Sequence, residues 1–287
     1  MKTSASFASL LAALVLAGCA HPPSMPSDPA QLTPPSRIAR DLTRLPPPKG
    51  RISVAVYGFR DQTGQYKPAP DSSFSTAVTQ GAASMLLAAL QSSGWFRPVE
   101  RENLQDLLTE RKIARALEAP KEQDAAAPQV PQLVPAAILV EGGITGYETN
   151  VRTGGVAANF LGIGLSTQYR VDQVTVSLRS VDVRSGEVLN AVSTTKTIYS
   201  YELHPSVFKF VSLKDLAQFE AGTTRNEPAQ LCVREALDAA VAHLIVQGLA
   251  DGRWQLRDEK DWSNALLHDY LEEAGLQAPG RKVAAND

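Results

Sequence analysis

The sequence is poor in the residues that build reactive centres. Two cysteines, Cys19 and Cys232, are too few for a disulfide framework even in an oxidising compartment. The four histidines, His21, His204, His243 and His268, are scattered along the chain and read as surface or packed side chains rather than metal ligands. Neither sign of charge dominates: 28 Lys and Arg stand against 30 Asp and Glu, a net charge of −2, so nothing suggests a nucleic-acid surface. No Gly-rich loop follows a strand with a lysine placed for phosphate. The stretch GGVAANFLGIG, 154–164, has glycine but lacks that spacing and the following helix. Carboxylates fall mostly on solvated helix faces. Together these absences argue against an enzyme, a metal site and a bound cofactor. Long apolar runs are absent too, save FASLLAALVLAG at 7–18, which is too short to span a bilayer stably.

That run defines the start of the chain. Lys2 gives it a short positive flank and it ends in small residues, so 1–18 reads as a signal peptide. The junction LAGCA, Leu16 to Ala20, resembles the lipobox of bacterial lipoproteins, which implies cleavage before Cys19 and covalent lipid on its thiol and new amino group. Ala20 after the cysteine, by the same resemblance, favours the outer membrane. Lipid on Cys19 leaves Cys232 without a partner in the chain, and its apolar helical surroundings read as a buried small hydrophobe. Residues 20–48 hold nine of the nineteen prolines, so 19–50 is expected to be an extended Pro-rich tether.

Strand and helix patterns alternate after it. RISVAVYGF, 51–59, reads as a strand, and from Ser75 on the apolar residues recur at helical spacing. WFRPVER is a short strand. A second helix follows, with Leu104, Leu107, Leu108 and Ala114 inward. Residues 118–135 read as a loop and AAILVEGGITGY as a strand. Two further strands meet at Arg184-Ser185-Gly186. A long helix then starts near Asn226 and Pro228 and stops before Gly252. Residues 258–273 read as one amphipathic helix with Trp262, Leu266 and Tyr270 on one side. The fold class is α+β: a mixed α/β domain with a normal core.

Two stretches fit such a domain less well. In IGLSTQYRV, Ile163, Leu165, Thr167, Tyr169 and Val171 alternate with Gly164, Ser166, Gln168 and Arg170. At Asp172–Val174 the phase flips, and Val174, Val176 and Leu178 continue on the other parity. Joined through the glycines, 147–171 makes a hairpin whose arms have about the 9–11 residues that a tilted strand needs to cross a bilayer. The segment 192–223 behaves likewise. Tyr199, Tyr201 and Leu203 alternate with polar residues, and Phe208 and Phe210 suit an interfacial aromatic girdle. A half-exposed soluble sheet shows the same alternation, so on pattern alone both readings stand.

Resemblance tilts the balance. The run DLTRLPPPKGRISVAVYGFRDQTGQYKPAPDSSFSTAV, 41–78, resembles the curli secretion-channel lipoproteins, the CsgG family. So do ASMLLAALQSSGWFRPVER, LLTERKIAR, VEGGITGYETNVRTGGV, GIGLSTQYRVDQVTVSLR, TKTIYSYE and NEPAQLC, colinear to about residue 255. The resemblance implies an outer-membrane homo-oligomer, a nonameric ring, with its main domain in the periplasm. The domain parts are then 51–146 and 172–191, with 224–287 as periplasmic helices and tail. The transmembrane hairpins 147–171 and 192–223 would add four strands per subunit to a shared barrel, with Ile163, Leu165, Tyr169, Val171, Tyr199, Tyr201 and Leu203 facing lipid.

It also implies a channel constriction in the loop 64–75. The family's Tyr, Asn and Phe positions there fall on Ala69, Ser73 and Phe74, so only the Phe is kept. Passive, nucleotide-independent secretion of unfolded curli subunits, CsgA and CsgB, would follow, with CsgE and CsgF as accessory factors. Two alternatives remain open: a non-channel periplasmic scaffold or binding lipoprotein with soluble hairpins, and Phe74 as a hydrophobic staple on the next helix.

Overall fold

A computed structural model describes residues 32–67, 75–118, 130–153, 168–204, 207–211 and 228–279. Cys19, Ala69, Ser73, Phe74, Ile163 and Leu165 lie outside the described residues. The chain divides into Met1–Pro34 and Pro35–Asp287, and all described helices and strands belong to the second unit.

The end of the expected tether is structured. Helix α1, Arg37–Arg44, opens at Ser36, whose hydroxyl accepts from the Ala39 amide at 3.0 Å, and it buries Leu42 and Leu45. The prolines that follow lack donors but use their carbonyls. Trp95 Nε1 donates to Pro46 O at 2.9 Å, and the Arg257 amide donates to Pro47 O at 2.9 Å. The extended-tether expectation is therefore corrected for 37–49. The signal was present as Leu42 and Leu45, one helical turn apart.

The strands form one mixed sheet. Its order is β3 (Phe96–Pro98), β1 (Ile52–Val56), β4 (Ile138–Thr153), β5 (Gln168–Asp182), β6 (Val188–His204), β7 (Val207–Val211), and the short β2 (Arg60–Asp61) also pairs with β4. β1 runs parallel to β3 and β4, whereas β4 through β7 are antiparallel. Helix α2 (Ala82–Ser92) connects β1 and β2 to β3, and α3 (Leu104–Glu118) lies between β3 and β4.

Helix α4, Pro228–Ala250, is rich in apolar residues on more than one side, and most of them are buried. It packs on β5 and β6 and against α1, α2 and α5 (Ala265–Glu273). Leu237, Leu244, Ile245 and Leu249 are buried along it, each such side chain contributing roughly 1.5–3 kcal/mol. A Schellman cap ends it. Gly252 takes φ 68°, its amide donates to Leu249 O, and the Arg253 amide donates to Gly248 O, both at 3.0 Å.

Three sequence expectations change at element ends. The helix expected from Ser75 begins at Ala82, with Gly81 as its cap, because 75–77 pair with the chain before the loop instead. The single helix expected over 258–273 is a 3-10 turn, Glu259–Ser263, followed by α5. Asn264 breaks it by accepting from the Leu267 amide at 3.2 Å, and the buried stripe becomes Leu267, Tyr270 and Leu271. In α3, Leu104, Leu107, Leu108 and Ala114 share a face, but they are only half-buried.

The phase flip at Asp172 has a clear basis. β5 pairs with β6 without a break from Tyr169 through Ser180 and with β4 from Gln168 through Thr175. The bulge between Ile144 and Gly146 of β4 lies beyond the flip, opposite Thr175 and Val176, so β5 keeps its register through Asp172. Asp172, Val174, Val176, Leu178 and Ser180 are buried on the face that α4 covers. Their odd-numbered neighbours Val171, Gln173, Thr175 and Ser177 are half-buried on the opposite face. The apolar residues change faces while the backbone does not. The turn between β5 and β6 is fixed by Asp182, whose carboxylate accepts from the Arg184 and Ser185 amides at 2.9 and 2.7 Å. The bonds from Ser185 hold the Asp182 pKa below its usual range.

Candidate functional site

The loop singled out in the sequence stands on a hydrogen-bonded stem. After β2, Asp61 Oδ1 accepts from the Thr63 amide at 2.9 Å and its hydroxyl at 2.7 Å, turning the chain. Tyr66 then pairs antiparallel with Thr76. The Lys67 amide donates to Ser75 O at 2.8 Å and the Ala77 amide to Gln65 O at 2.9 Å. Both arms of the stem are thus closed just outside 68–74, while Ala77 and Val78 bury themselves in the core. A staple residue belongs immediately before the helix cap, and that position is Gln80. Phe74 itself lies outside the described residues.

The stem meets the sheet where β4 leaves the helix-covered core. The Gln62 amide donates to Ile144 O at 2.9 Å, and Gln65 Nε2 donates to Tyr147 O at 2.8 Å. The Tyr147 hydroxyl, in turn, donates to Asp172 Oδ1 at 3.0 Å, and both residues are buried, at 5% and 0% exposure. Cys232 on α4 donates its thiol to Asp172 O at 3.6 Å. Its pKa is pushed up to about 12, chiefly by burial and then by Asp172, so it stays a thiol. Beside it, Lys196 on β6 pairs with Glu235 on α4 at 2.5 Å, and Thr194 donates to Ala236 O at 2.7 Å. A band of polar links therefore ties the sheet to α4 at the level where the apolar phase flips.

Of the residues expected to face lipid, Val171 and Tyr199 are directly paired and half-buried. They share the face of Thr175 and Thr195, whose hydroxyls lie 2.9 Å apart. Tyr169 pairs with Tyr201, and β6 continues through Leu203. β7 pairs with β6 from Tyr199↔Val211 to His204↔Val207, so a hairpin exists inside 192–223. Sequence reasoning missed Gln65, Tyr147 and Asp172 as partners. The one available signal was an acidic residue sitting at the phase flip.

Elsewhere, His243 packs edge-on against Tyr270 at 5.2 Å, with Nε2 3.8 Å from Glu273 Oε1. Burial lowers its pKa and Glu273 opposes that. Among the described residues no three His, Cys, Asp or Glu side chains could hold a metal ion, and no helix is long and apolar enough to cross a membrane.

The model of the family "Curli production assembly/transport component CsgG" matches residues 36–274. The chain is 46% identical over 265 residues to the Salmonella typhimurium protein of that description, covering 92% of this chain and 95% of that protein. It is 45% identical over 263 residues to the Escherichia coli protein, covering 91% and 95%. The solved structure of the hypothetical protein CT253 from Chlamydia trachomatis aligns at a TM-score of 0.36 and 13% identity, covering 69% of this chain and 97% of that one. With a family match over most of its length and relatives near half-identical across more than nine-tenths of it, the chain belongs to the CsgG family of curli production assembly/transport components.

Proposed function

We propose that the protein is a lipid-anchored subunit of an outer-membrane ring that exports unfolded curli subunits through a shared β-barrel. The observation that carries this reading is the antiparallel sheet β4–β7. Its strands β4, β5 and β6 run for 16, 15 and 17 residues, well past the part that α4 covers. Beyond the core, apolar residues occupy the parity that was polar within it. That exchange suits an outer face against lipid and an inner face against water.

Four strands cannot close a barrel, and an open edge in hydrocarbon leaves backbone groups unpaired at several kcal/mol each. The hairpins therefore require neighbouring copies, and by family resemblance the ring is a nonamer. Phe74, one per subunit, would line the constriction with Ala69 and Ser73 beside it. These smaller side chains make the constriction wider than one built with Tyr and Asn. Lipid on Cys19 would hold the ring from the periplasmic side. Transport would be passive and nucleotide-independent, with CsgA and CsgB as cargo and CsgE and CsgF as accessory factors.

The test is the conductance of the detergent-extracted full chain in a planar lipid bilayer. Large, uniform, stable steps are expected. Their absence from a well-folded protein would overturn the channel in favour of a periplasmic scaffold.

A further inference from the structure

We propose that Gln65, Tyr147 and Asp172 form a tie that seats the stem of the 64–78 loop against α4. They are positioning residues for the constriction, an assignment that rests on the channel reading above. β4 needs such a tie because it loses its neighbours on one edge. Among the described residues, β1 pairs with it only over Ile138–Val140 and β2 only over Gly143–Ile144. The Gln62 amide takes the next carbonyl, Ile144 O, at 2.9 Å. Three residues on, the Gln65 side chain does what a strand would do and donates to Tyr147 O at 2.8 Å. A side-chain amide thus extends the ladder past the end of β2.

The hold then passes inward. The phenol of Tyr147 donates to the Asp172 carboxylate on β5 at 3.0 Å, and the Asp172 carbonyl accepts from Cys232 on α4 at 3.6 Å. Bonds to a carboxylate are stronger than neutral ones, and these two residues are shut away from water. A displaced stem would have to break the Gln65 bond or drag β4 away from a buried partner. The stem's own bonds fix its shape, and the Gln65 bond fixes it to Tyr147. In a ring, the radial position of each loop is set by where its stem stands on the sheet. A tie to the most deeply buried helix therefore makes the aperture the same in every subunit.

Tyr147→Phe and Gln65→Leu in the full lipidated chain separate the two readings. Rings are first counted by electron microscopy, and hydrogen exchange is then read at the Lys67 and Ala77 amides. Loss of one hydrogen bond should speed their exchange by roughly two- to tenfold in both variants. Tyr147→Phe is the informative one, because its hydroxyl touches neither amide. If it acts on local structure alone, exchange rises in β4 and β5 and stops there, which overturns the tie.

In planar bilayers, both variants should show fluctuating open-channel current where the parent is steady, and the difference should vanish in a Phe74→Ala background. Steady current from either variant, or a change undiminished without Phe74, overturns the positioning role while leaving the channel intact. A parent protein without conductance overturns the channel reading, and the exchange result still decides the tie. If Tyr147→Phe rings do not assemble, Gln65→Leu decides both measurements.

Discussion

Asp238 offers a sharp test of how α1 is seated. It lies on α4 at 6% exposure, facing the start of α1. Its Oδ2 atom has no hydrogen-bond partner among the described residues. Burial pushes its pKa up from 3.8 to about 6, against the pull of Arg234 and a bond from Ser36, with Glu235 adding to the rise. Arg37 and Asp41 of α1 and Glu273 of α5 line the same place through Tyr270, whose hydroxyl burial pushes up to about 12.

Above pH 6 both folded and unfolded chains carry ionised Asp238, and the fold bears the full cost. Between about 6 and 3.8 only the folded chain is protonated, so stability rises as pH falls. Below 3.8 both are neutral and the cost is gone. The interval corresponds to about 3 kcal/mol. Asp238→Asn mimics the neutral acid. At pH 8 its Tm should exceed that of the parent by roughly 5–10 °C, and at pH 4 the two should coincide. The assay is thermal unfolding of the purified full chain at both pH values. An Asn variant less stable than the parent at pH 8, or a difference unchanged by pH, would refute the reasoning.

At Gly248, any Cβ would lie 2.5 Å from the Trp254 ring, which also packs against Trp95 and Phe96. Gly248→Ala should cost about 1–3 kcal/mol and lower the Tm by several degrees, and an unchanged Tm would contradict the packing. Cys232 should resist thiol reagents in the folded protein at pH 8 and react only after denaturation, as followed by mass spectrometry; labelling of native protein would place it elsewhere. Under the proposed function, Phe74→Ala should raise single-channel conductance in planar bilayers, and unaltered conductance would remove Phe74 from the constriction.

Much of the fold was legible because it depends on local pattern. The long helical pattern of α4, with Pro228 at its start and Gly252 past its end, needed no partner to be recognised as a helix. Arg184-Ser185-Gly186 likewise marked the β5–β6 turn, where Gly186 takes a positive φ. Period-two alternation located the strands and even the residue where the apolar parity changes.

The sequence could not decide what that change means. A flip of parity follows equally from a bulge in the strand or from an exchange of environments on its two faces. Only the regular pairing of β5 around Asp172, from Gln168 to Thr175 with β4 and from Tyr169 to Ser180 with β6, selects the second. The Pro-rich segment before β1 was misread for a related reason. Proline carbonyls are acceptors, and the donors that reach Pro46 and Pro47 come from Trp95 and Arg257, far away in sequence.

The Gln65–Tyr147–Asp172 tie is the extreme case. Its members are separated by 82 and 25 residues, and nothing in their local patterns connects them. Composition and periodicity located most of the strands and helices. Tertiary structure decided which polar side chains meet, because hydrogen bonds between distant residues depend on register and packing, which no local pattern encodes.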